Sequence, residues 1–101
     1  MKLLTKALRS KLPPLYTNEG KKPEEVKIIV KFFDPTGSWT WYATEFDGKD
    51  TFFGFVRGFE NELGYFSLSE LKSVKTGFGL GIERDLYFGE HTLAEATEKQ
   101  I

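Results

Sequence analysis

The residues that most resemble a chemical site are three carboxylates around one predicted turn. Glu45, Asp47 and Asp50 are close together in the chain, and Mg²⁺ and Ca²⁺ prefer hard oxygen ligands of this type. Turn geometry alone also explains Asp and Gly at such a position, and no Glu-x-Lys completes a nuclease-like carboxylate set. We therefore expect turn residues here and no metal site.

The side chains needed for nucleophilic or zinc chemistry are scarce. The chain has no cysteine and one histidine, so a thiolate nucleophile and a zinc site lack their groups, and no GxSxG elbow is present. His91 is expected to be an exposed linker residue before a helix. The glycine-rich residues 77–81 lack both the Walker and the GxGxxG spacing and predict a flexible connector. We expect no enzyme activity and no cofactor.

Two further segments partly match binding motifs. Phe53 to Val56 matches the middle of the RNA-recognition signature, whose aromatic residues stack on bases. Its flanking residues differ, and it lies on the second arm of a hairpin rather than on a strand that follows a helix. Arg84 stands between two carboxylates, Glu83 and Asp85, in a short strand, and an Arg in this position favours a structural ion pair with another element. An anion site is the alternative.

The elements that position these residues centre on a β-hairpin. Residues 38–46 and 51–59 are rich in aromatic and β-branched residues, and residues 47–50 (DGKD) between them predict the turn. Phe46 and Thr51 are expected to flank that turn.

The pairing of the two arms decides which side chains share a face of the sheet. Trp39 then faces Gly58, and a tryptophan over a cross-strand glycine fills the volume that the glycine leaves. The predicted core face therefore holds Trp39, Trp41, Phe52 and Val56.

The opposite face is the candidate interface, because aromatic residues and Arg are enriched among binding hot spots. Regular alternation also places Phe46 on this side. The alternative is that both faces are covered, one by the N-terminal helix and the other by the C-terminal helix. The candidate interface residues are Tyr42, Phe53, Phe55 and Arg57.

The remaining segments predict short helices and further strands. Together they indicate an α+β fold with an antiparallel sheet of four to five strands and short N-terminal, central and C-terminal helices. The predicted helices are 6–12, 67–74 and 92–100, capped by Thr5, Ser67 and Thr92, and the predicted strands outside the hairpin are 26–33, 63–66 and 82–88.

Length and charge limit the class of protein. A chain of 101 residues is expected to form one domain, and it contains no apolar run long enough for a signal peptide or a membrane span, so we expect a cytoplasmic protein. Residues 1–31 carry eight basic and three acidic side chains, residues 32–70 two and seven, and the remainder four and five. This balance disfavours both an acidic DNA mimic and a generally basic nucleic-acid binder.

Six stretches of the chain carry a family resemblance: LLT, LPPLY, VKFFDP, SWTWYATEFDG, FFGFVRGFENELGYFSLSEL and GLGIERDLYF. Together they resemble an uncharacterised bacterial family of small accessory proteins of plasmids and other mobile elements. The resemblance covers residues 3–91, taken as the ordered core, and it implies that the segment after Glu90 tolerates change. It also implies neighbouring anti-restriction and DNA-processing genes, and it carries over no catalytic residue.

These observations favour a non-enzymatic interaction protein of a mobile element, with a protein partner that belongs to host defence or plasmid maintenance. A single-stranded nucleic-acid-binding protein is the first alternative, and a small enzyme or ligand-binding module is the second.

Overall fold

Seven strands and three short helices form the fold, and the computed structural model describes residues 1–101. The strands are β1 (Lys27–Ile28), β2 (Val30–Phe33), β3 (Thr40–Phe46), β4 (Thr51–Arg57), β5 (Asn61–Ser67), β6 (Glu83–Arg84) and β7 (His91–Thr92). The helices are α1 (Lys6–Lys11), α2 (Leu68–Ser73) and α3 (Leu93–Glu98), and short 3₁₀ turns lie at Pro23–Glu25 and Gly77–Gly79.

Five of the strands form one antiparallel sheet in the order β5-β4-β3-β2-β6, and β1 pairs with β7 in a second, two-stranded sheet. The predicted α+β class and the predicted sheet of four to five strands are thus confirmed. None of the three helices has the length and apolar character needed to cross a bilayer.

Each helix begins at the residue that the sequence predicts as its cap. The side-chain oxygens of Thr5, Ser67 and Thr92 accept hydrogen bonds from the backbone N–H groups of Leu8, Glu70 and Glu95, respectively. Such side-chain acceptors satisfy donors that have no partner inside the helix. Helices of one to two turns are marginal on their own, so packing against the sheet must hold them.

The hairpin prediction is confirmed at its turn and, from Thr40 to Ala43, in its register. The Asp47 N–H donates to the Thr51 oxygen at 2.9 Å, and Trp41 pairs with Val56 across β3 and β4. A bulge between Ala43 and Glu45 shifts the register by one residue. Sequence reasoning had no signal for this bulge.

The bulge changes which residues share a face. We call the side of the sheet that carries Trp41 the first face and the side that carries Tyr42 the second face. Phe46 packs against Phe52 on the first face, with ring centroids 4.5 Å apart, so its predicted place on the opposite face is wrong. An extra residue in one strand reverses the alternation beyond it.

The first face holds the larger core. Phe52 is its centre, with no exposed surface and with ring centroids 5.5 Å from Phe32 and 5.3 Å from Phe66. Segments before and after α1, together with α2, cover this face. Its buried members are Leu3, Leu4, Leu12, Val30, Phe32, Ala43, Phe46, Phe52, Phe66, Leu68, Leu71 and Ile82.

The two tryptophans lie at the rim of this core. Trp39 and Trp41 share the first face with ring centroids 5.8 Å apart, as predicted, but both are only half-buried. A Cβ atom on Gly58 would come within 2.4 Å of the Trp39 ring. The predicted tryptophan-over-glycine contact is therefore present, whereas full burial of the tryptophans is wrong.

A second, smaller core covers the other face of the sheet. Its buried residues are Val26, Ile28, Tyr42, Phe55, Leu93 and Ala96. The Leu93 N–H donates to the Val26 oxygen at 2.8 Å, which fastens α3 beside β1. Both faces are thus covered, the second one by the C-terminal helix.

The segment after Glu90 is part of the core, which corrects the prediction that ordered structure ends near residue 91 and that the rest tolerates change. Leu93 and Ala96 are buried. His91 is also not an exposed linker residue: it pairs with Ile28 in the small sheet, and its Nδ1 lies 3.0 Å from the Glu95 carboxylate. Packing of this segment against the sheet accounts for both differences from the prediction, and local sequence does not show that packing.

Candidate functional site

An exposed group of apolar and aromatic side chains lies beside the edge strand β5. Phe53 and Tyr65 pair across β4 and β5 with ring centroids 5.0 Å apart, and Leu63 and Tyr16 border them around a concavity of about 350 Å³. Tyr16 is 66% exposed, Tyr65 55% and Leu63 52%. We call these four residues, Tyr16, Phe53, Leu63 and Tyr65, the tyrosine cleft.

The backbone of Tyr16 is held in an unusual conformation. Its φ angle is +74°, in the left-handed region that costs a residue with a side chain roughly 1 to 2 kcal/mol. Residues kept there cluster at functional sites when the surrounding structure enforces the conformation.

Glu45 is the group that holds this segment in place. The Glu45 side chain is almost fully buried, and its two carboxylate oxygens accept the backbone N–H groups of Tyr16 at 2.8 Å and Asn18 at 2.7 Å. A buried carboxylate is tolerated when hydrogen bonds replace its water. The cleft is therefore preformed rather than loose.

The β3 bulge explains why Glu45 reaches this loop. Without the bulge, regular alternation would place Glu45 on the first face beside Ala43, inside the larger apolar core. With it, Glu45 pairs with Phe53 on the second face. Thr44, at the bulge, donates its hydroxyl to the Phe53 oxygen at 3.1 Å, which satisfies a polar group that is itself buried.

The cleft offers recognition groups rather than reactive ones. The neighbouring Tyr16 side chain, followed by partial burial, raises the pKa of Tyr65 above its ordinary value of 10.0. A phenol with an ordinary or raised pKa is protonated near neutral pH. Asn18, Glu19 and Lys21 border the concavity. Aromatic surface with hydroxyl groups at its margin is suited to binding a partner.

The predicted interface residues are mostly not at this surface. Tyr42 and Phe55 are buried beneath α3, and the Tyr42 hydroxyl donates to the Ile101 backbone oxygen at 2.9 Å. Burial raises the pKa of Tyr42 above 10.0. The prediction that this face is open is therefore wrong. The two side chains belong to the core, because α3 packs on them.

The other two predicted interface residues, Arg57 and Phe53, lie in different places. Arg57 donates to the Ala96 oxygen, and its guanidinium lies 5.5 Å from the centre of the Phe55 ring, so it joins β4 to α3. Its Nε is buried without a hydrogen-bond partner. Of the four predicted interface residues, Phe53 alone is part of the tyrosine cleft.

Arg84 and Asp85 make structural contacts. The Asp85 carboxylate lies 3.5 Å from the Lys31 Nζ of β2, whereas Arg84, for which the sequence favoured an ion pair, forms a hydrogen bond to backbone instead. Arg84 donates to the Lys2 backbone oxygen at 2.7 Å. The two side chains therefore link β6 and the residue after it to β2 and to the segment before α1.

The three carboxylates of the predicted turn do not converge. Asp47 Oδ1 accepts the N–H groups of residues 49–51, and Asp50 accepts both the N–H and the hydroxyl of Ser69, at 2.8 and 2.6 Å. Glu45 points to the tyrosine cleft. No group of three His, Cys, Asp or Glu side chains in the structure could hold a metal ion.

A larger concavity, of about 540 Å³, lies beside the small sheet. Its walls mix Lys11 and Lys27 with Glu90 and Glu95, so charges of both signs offset one another. A hydrogen bond with the His91 side chain lowers the pKa of Glu95. We therefore place the candidate site at the tyrosine cleft.

A comparison with known protein families adds to the resemblance seen in the sequence. A model of a family of proteins of unknown function matches residues 3–98. The chain belongs to the DUF2958 family. The matched range includes α3, which agrees with the place of that helix in the core of this DUF2958 domain. No curated protein and no solved structure matches the chain, so its function rests on its own residues.

Sequence reasoning missed three of the four cleft residues of the DUF2958 domain. Leu63 and Tyr65 are two residues apart on a predicted strand, and continuing the hairpin into that strand would have placed them beside Phe55 and Phe53. No local pattern pointed to Tyr16, because its place depends on the bulge and on Glu45.

Proposed function

We propose that this DUF2958 domain is a non-enzymatic protein-binding module and that the tyrosine cleft is its interface. The observation that carries the proposal is that exposed Tyr16, on a strained segment held by Glu45, is contiguous with exposed Leu63 and Tyr65 on β5. Aromatic side chains are enriched among binding hot spots. A site organised before binding also loses less conformational entropy when a partner docks.

The sequence resemblance supports a setting for this activity. In a plasmid or other mobile element, the module would act in the cytoplasm as an accessory protein. Its partner would then be a host defence protein or a plasmid-maintenance protein, captured without chemical change.

Single-stranded nucleic acid is the less favoured ligand. Phe55, one of the two aromatic residues of the partial RNA-recognition match, is buried and cannot stack on a base. Glu19 lies at the cleft, and Glu60 before β5 and Glu62 within it are exposed. These carboxylates would repel a phosphate backbone.

Capture from a host lysate with matched variants tests the proposed interface. Tyr65→Ala is expected to lose the protein that the unaltered domain retains. Tyr87→Ala is the control, because Tyr87 is 93% exposed and does not line the cleft. Bound proteins are quantified by mass spectrometry.

A second variant separates binding from stability. Tyr16→Gly removes the ring but relieves the left-handed strain, so we expect the unfolding free energy to stay within about 1 kcal/mol of the unaltered domain. Capture should nevertheless be lost. Equal capture by Tyr65→Ala, Tyr16→Gly and the unaltered domain, or no captured protein at all, would contradict the proposal.

A further inference from the structure

We propose that the partner adds to the domain as an extended strand along the outer edge of β5, and that its side chains alternate between apolar and basic. This inference rests on the proposed function and names the chemistry of its partner. Three features of β5 carry it: its free backbone groups, its unprotected edge and the charges around it.

The first feature is a row of backbone groups that face away from the sheet. The Leu68 N–H donates to the Asp50 oxygen at 2.8 Å, which continues the β4–β5 pairing by one step beyond Phe52 and Phe66. Hydrogen-bonded pairs alternate along an antiparallel ladder, so the even-numbered residues of β5 bond to β4. Leu63 and Tyr65 therefore direct their N–H and C=O groups outward.

The second feature is that this edge lacks the usual protection. Edge strands are commonly blunted by Lys, Pro, bulges or very short length. β5 runs for seven residues, contains neither Lys nor Pro, and pairs with β4 without a bulge. Gly64, at its centre, has open space where a Cβ would lie. The edge is thus a ready template for one more strand.

The third feature is the distribution of side chains around the edge. The two outward residues, Leu63 and Tyr65, also present their side chains to the tyrosine cleft. An added strand would place every second side chain on the cleft, where apolar residues fit.

The intervening side chains of an added strand would lie on the first face, near exposed Glu62. Glu60 and Glu62 are exposed immediately before and within β5, and the strand itself contains no Lys or Arg. Basic residues at alternate positions of the partner complement this charge. A second copy of the chain fits poorly, because two such acidic edges would repel each other.

Selection of peptides on the full domain tests the inference. Random dodecapeptides displayed on phage are selected against the domain, and an enriched peptide is synthesised and its affinity measured by fluorescence anisotropy. We expect enriched sequences in which Lys or Arg alternates with apolar residues. Glu62→Lys should weaken the peptide about tenfold and reduce the dependence of its affinity on salt.

A pair of substitutions at one position separates backbone from side-chain recognition. Leu63→Ala removes the side chain and keeps the N–H, whereas Leu63→Pro removes both. The lost N–H has no partner in the free domain, and Pro is tolerated at such edge positions. We expect Leu63→Pro to bind about tenfold more weakly than Leu63→Ala.

Amide hydrogen exchange by NMR gives the same information without a variant, should Leu63→Pro melt early. The peptide should slow exchange at the Leu63 and Tyr65 amides. Enriched peptides that are acidic or lack alternation, equal affinities for Leu63→Ala and Leu63→Pro, or unchanged exchange at these amides would overturn the inference.

The outcomes also separate this inference from the proposed function. One outcome is that Tyr65→Ala and Leu63→Ala weaken peptide binding, while Glu62→Lys has no effect and Leu63→Pro weakens binding no more than Leu63→Ala does. In that case the cleft binds a partner through side chains alone, and strand addition is wrong. If no enriched peptide depends on Tyr65 or Leu63, both are wrong. A dimer in sedimentation that Leu63→Pro dissociates would replace the peptide partner with a second copy.

Discussion

At the scale of single residues, the molecule uses its carboxylates to organise backbone. Asp47 ties the hairpin turn, Asp50 holds Ser69 at the start of α2, and Glu45 holds the segment around Tyr16. The same three residues could be interpreted from sequence as a metal site because composition does not show where a carboxylate points. Only the bulge decides this for Glu45.

Removing the Glu45 carboxylate should damage both the fold and the cleft. Glu45→Ala leaves two N–H groups without their charged acceptor, and we expect a loss of about 3 kcal/mol in the unfolding free energy. Glu45→Gln keeps one acceptor oxygen and should cost less. Urea melts check the order, and equal stability of all three proteins would show that the carboxylate does not hold the loop.

Asp47 should contribute to the acid sensitivity of the domain. Hydrogen bonds from the backbone N–H groups of Lys49, Asp50 and Thr51 lower its pKa below the ordinary 3.8. A carboxyl whose folded pKa is lowered stabilises the fold above its unfolded pKa, and that stability is lost as the pH falls through the lower, folded value.

Asp47→Asn should therefore be less stable than the unaltered domain at pH 7 and approach it as the pH falls through the lowered pKa of Asp47. Urea melts at a series of pH values measure the difference. A gap between the two proteins that stays constant from pH 7 to pH 2 would be inconsistent with titration of Asp47.

At the scale of elements, the central feature is the three-stranded meander β3-β4-β5. Residues 47–50 and the aromatic arms predicted its hairpin, and Ser67 predicted where β5 passes into α2, because turn and cap chemistry is local. The bulge at residues 43–45 was not predicted, because no nearby residue type signals it. It is linked instead to the burial of Glu45 on the second face. The cleft depends on it.

The meander contains a matched pair of glycines for a stability test. Gly54 and Gly64 face each other across β4 and β5. A Cβ on Gly54 would lie 1.8 Å from the Tyr42 backbone oxygen, whereas a Cβ on Gly64 would meet nothing within 4 Å. We expect Gly54→Ala to cost about 3 kcal/mol or more.

Gly64→Ala is the control for that substitution. Alanine suits an open strand position slightly better than glycine, so its unfolding free energy should stay within about 0.5 kcal/mol of the unaltered domain or rise. Thermal melts of the two variants compare them directly. Similar melting temperatures would show that β3 and β4 approach less closely at Gly54 than the structure has them.

At the scale of the whole molecule, one sheet separates two cores, and the smaller core is closed by α3. Local sequence predicted α3 but not its position, because the amphipathic pattern of a six-residue helix does not say which face it covers. For that reason Tyr42 and Phe55 were predicted as interface. Exposed Tyr16 and Tyr65 lie instead at the sheet edge that α3 leaves open.

The closure by α3 should be energetically important. Leu93 is buried between α3 and the sheet, and we expect Leu93→Ala to lower the unfolding free energy by about 2 to 4 kcal/mol. Glu98→Ala, on the exposed end of α3, is the matched control and should change it little. Urea melts of both variants check this, and a small effect of Leu93→Ala would mean that the second core contributes little.

The pairing of β1 with β7 joins Lys27 to Thr92, whereas β3, β4 and β5 are linked by short turns. Contacts that are distant in the chain close large loops and tend to form late in folding. Substitutions in α3 should therefore act mainly by speeding unfolding, and substitutions at Phe52 should slow folding. The lifetime of the folded state against proteases would then be governed by how long α3 stays docked.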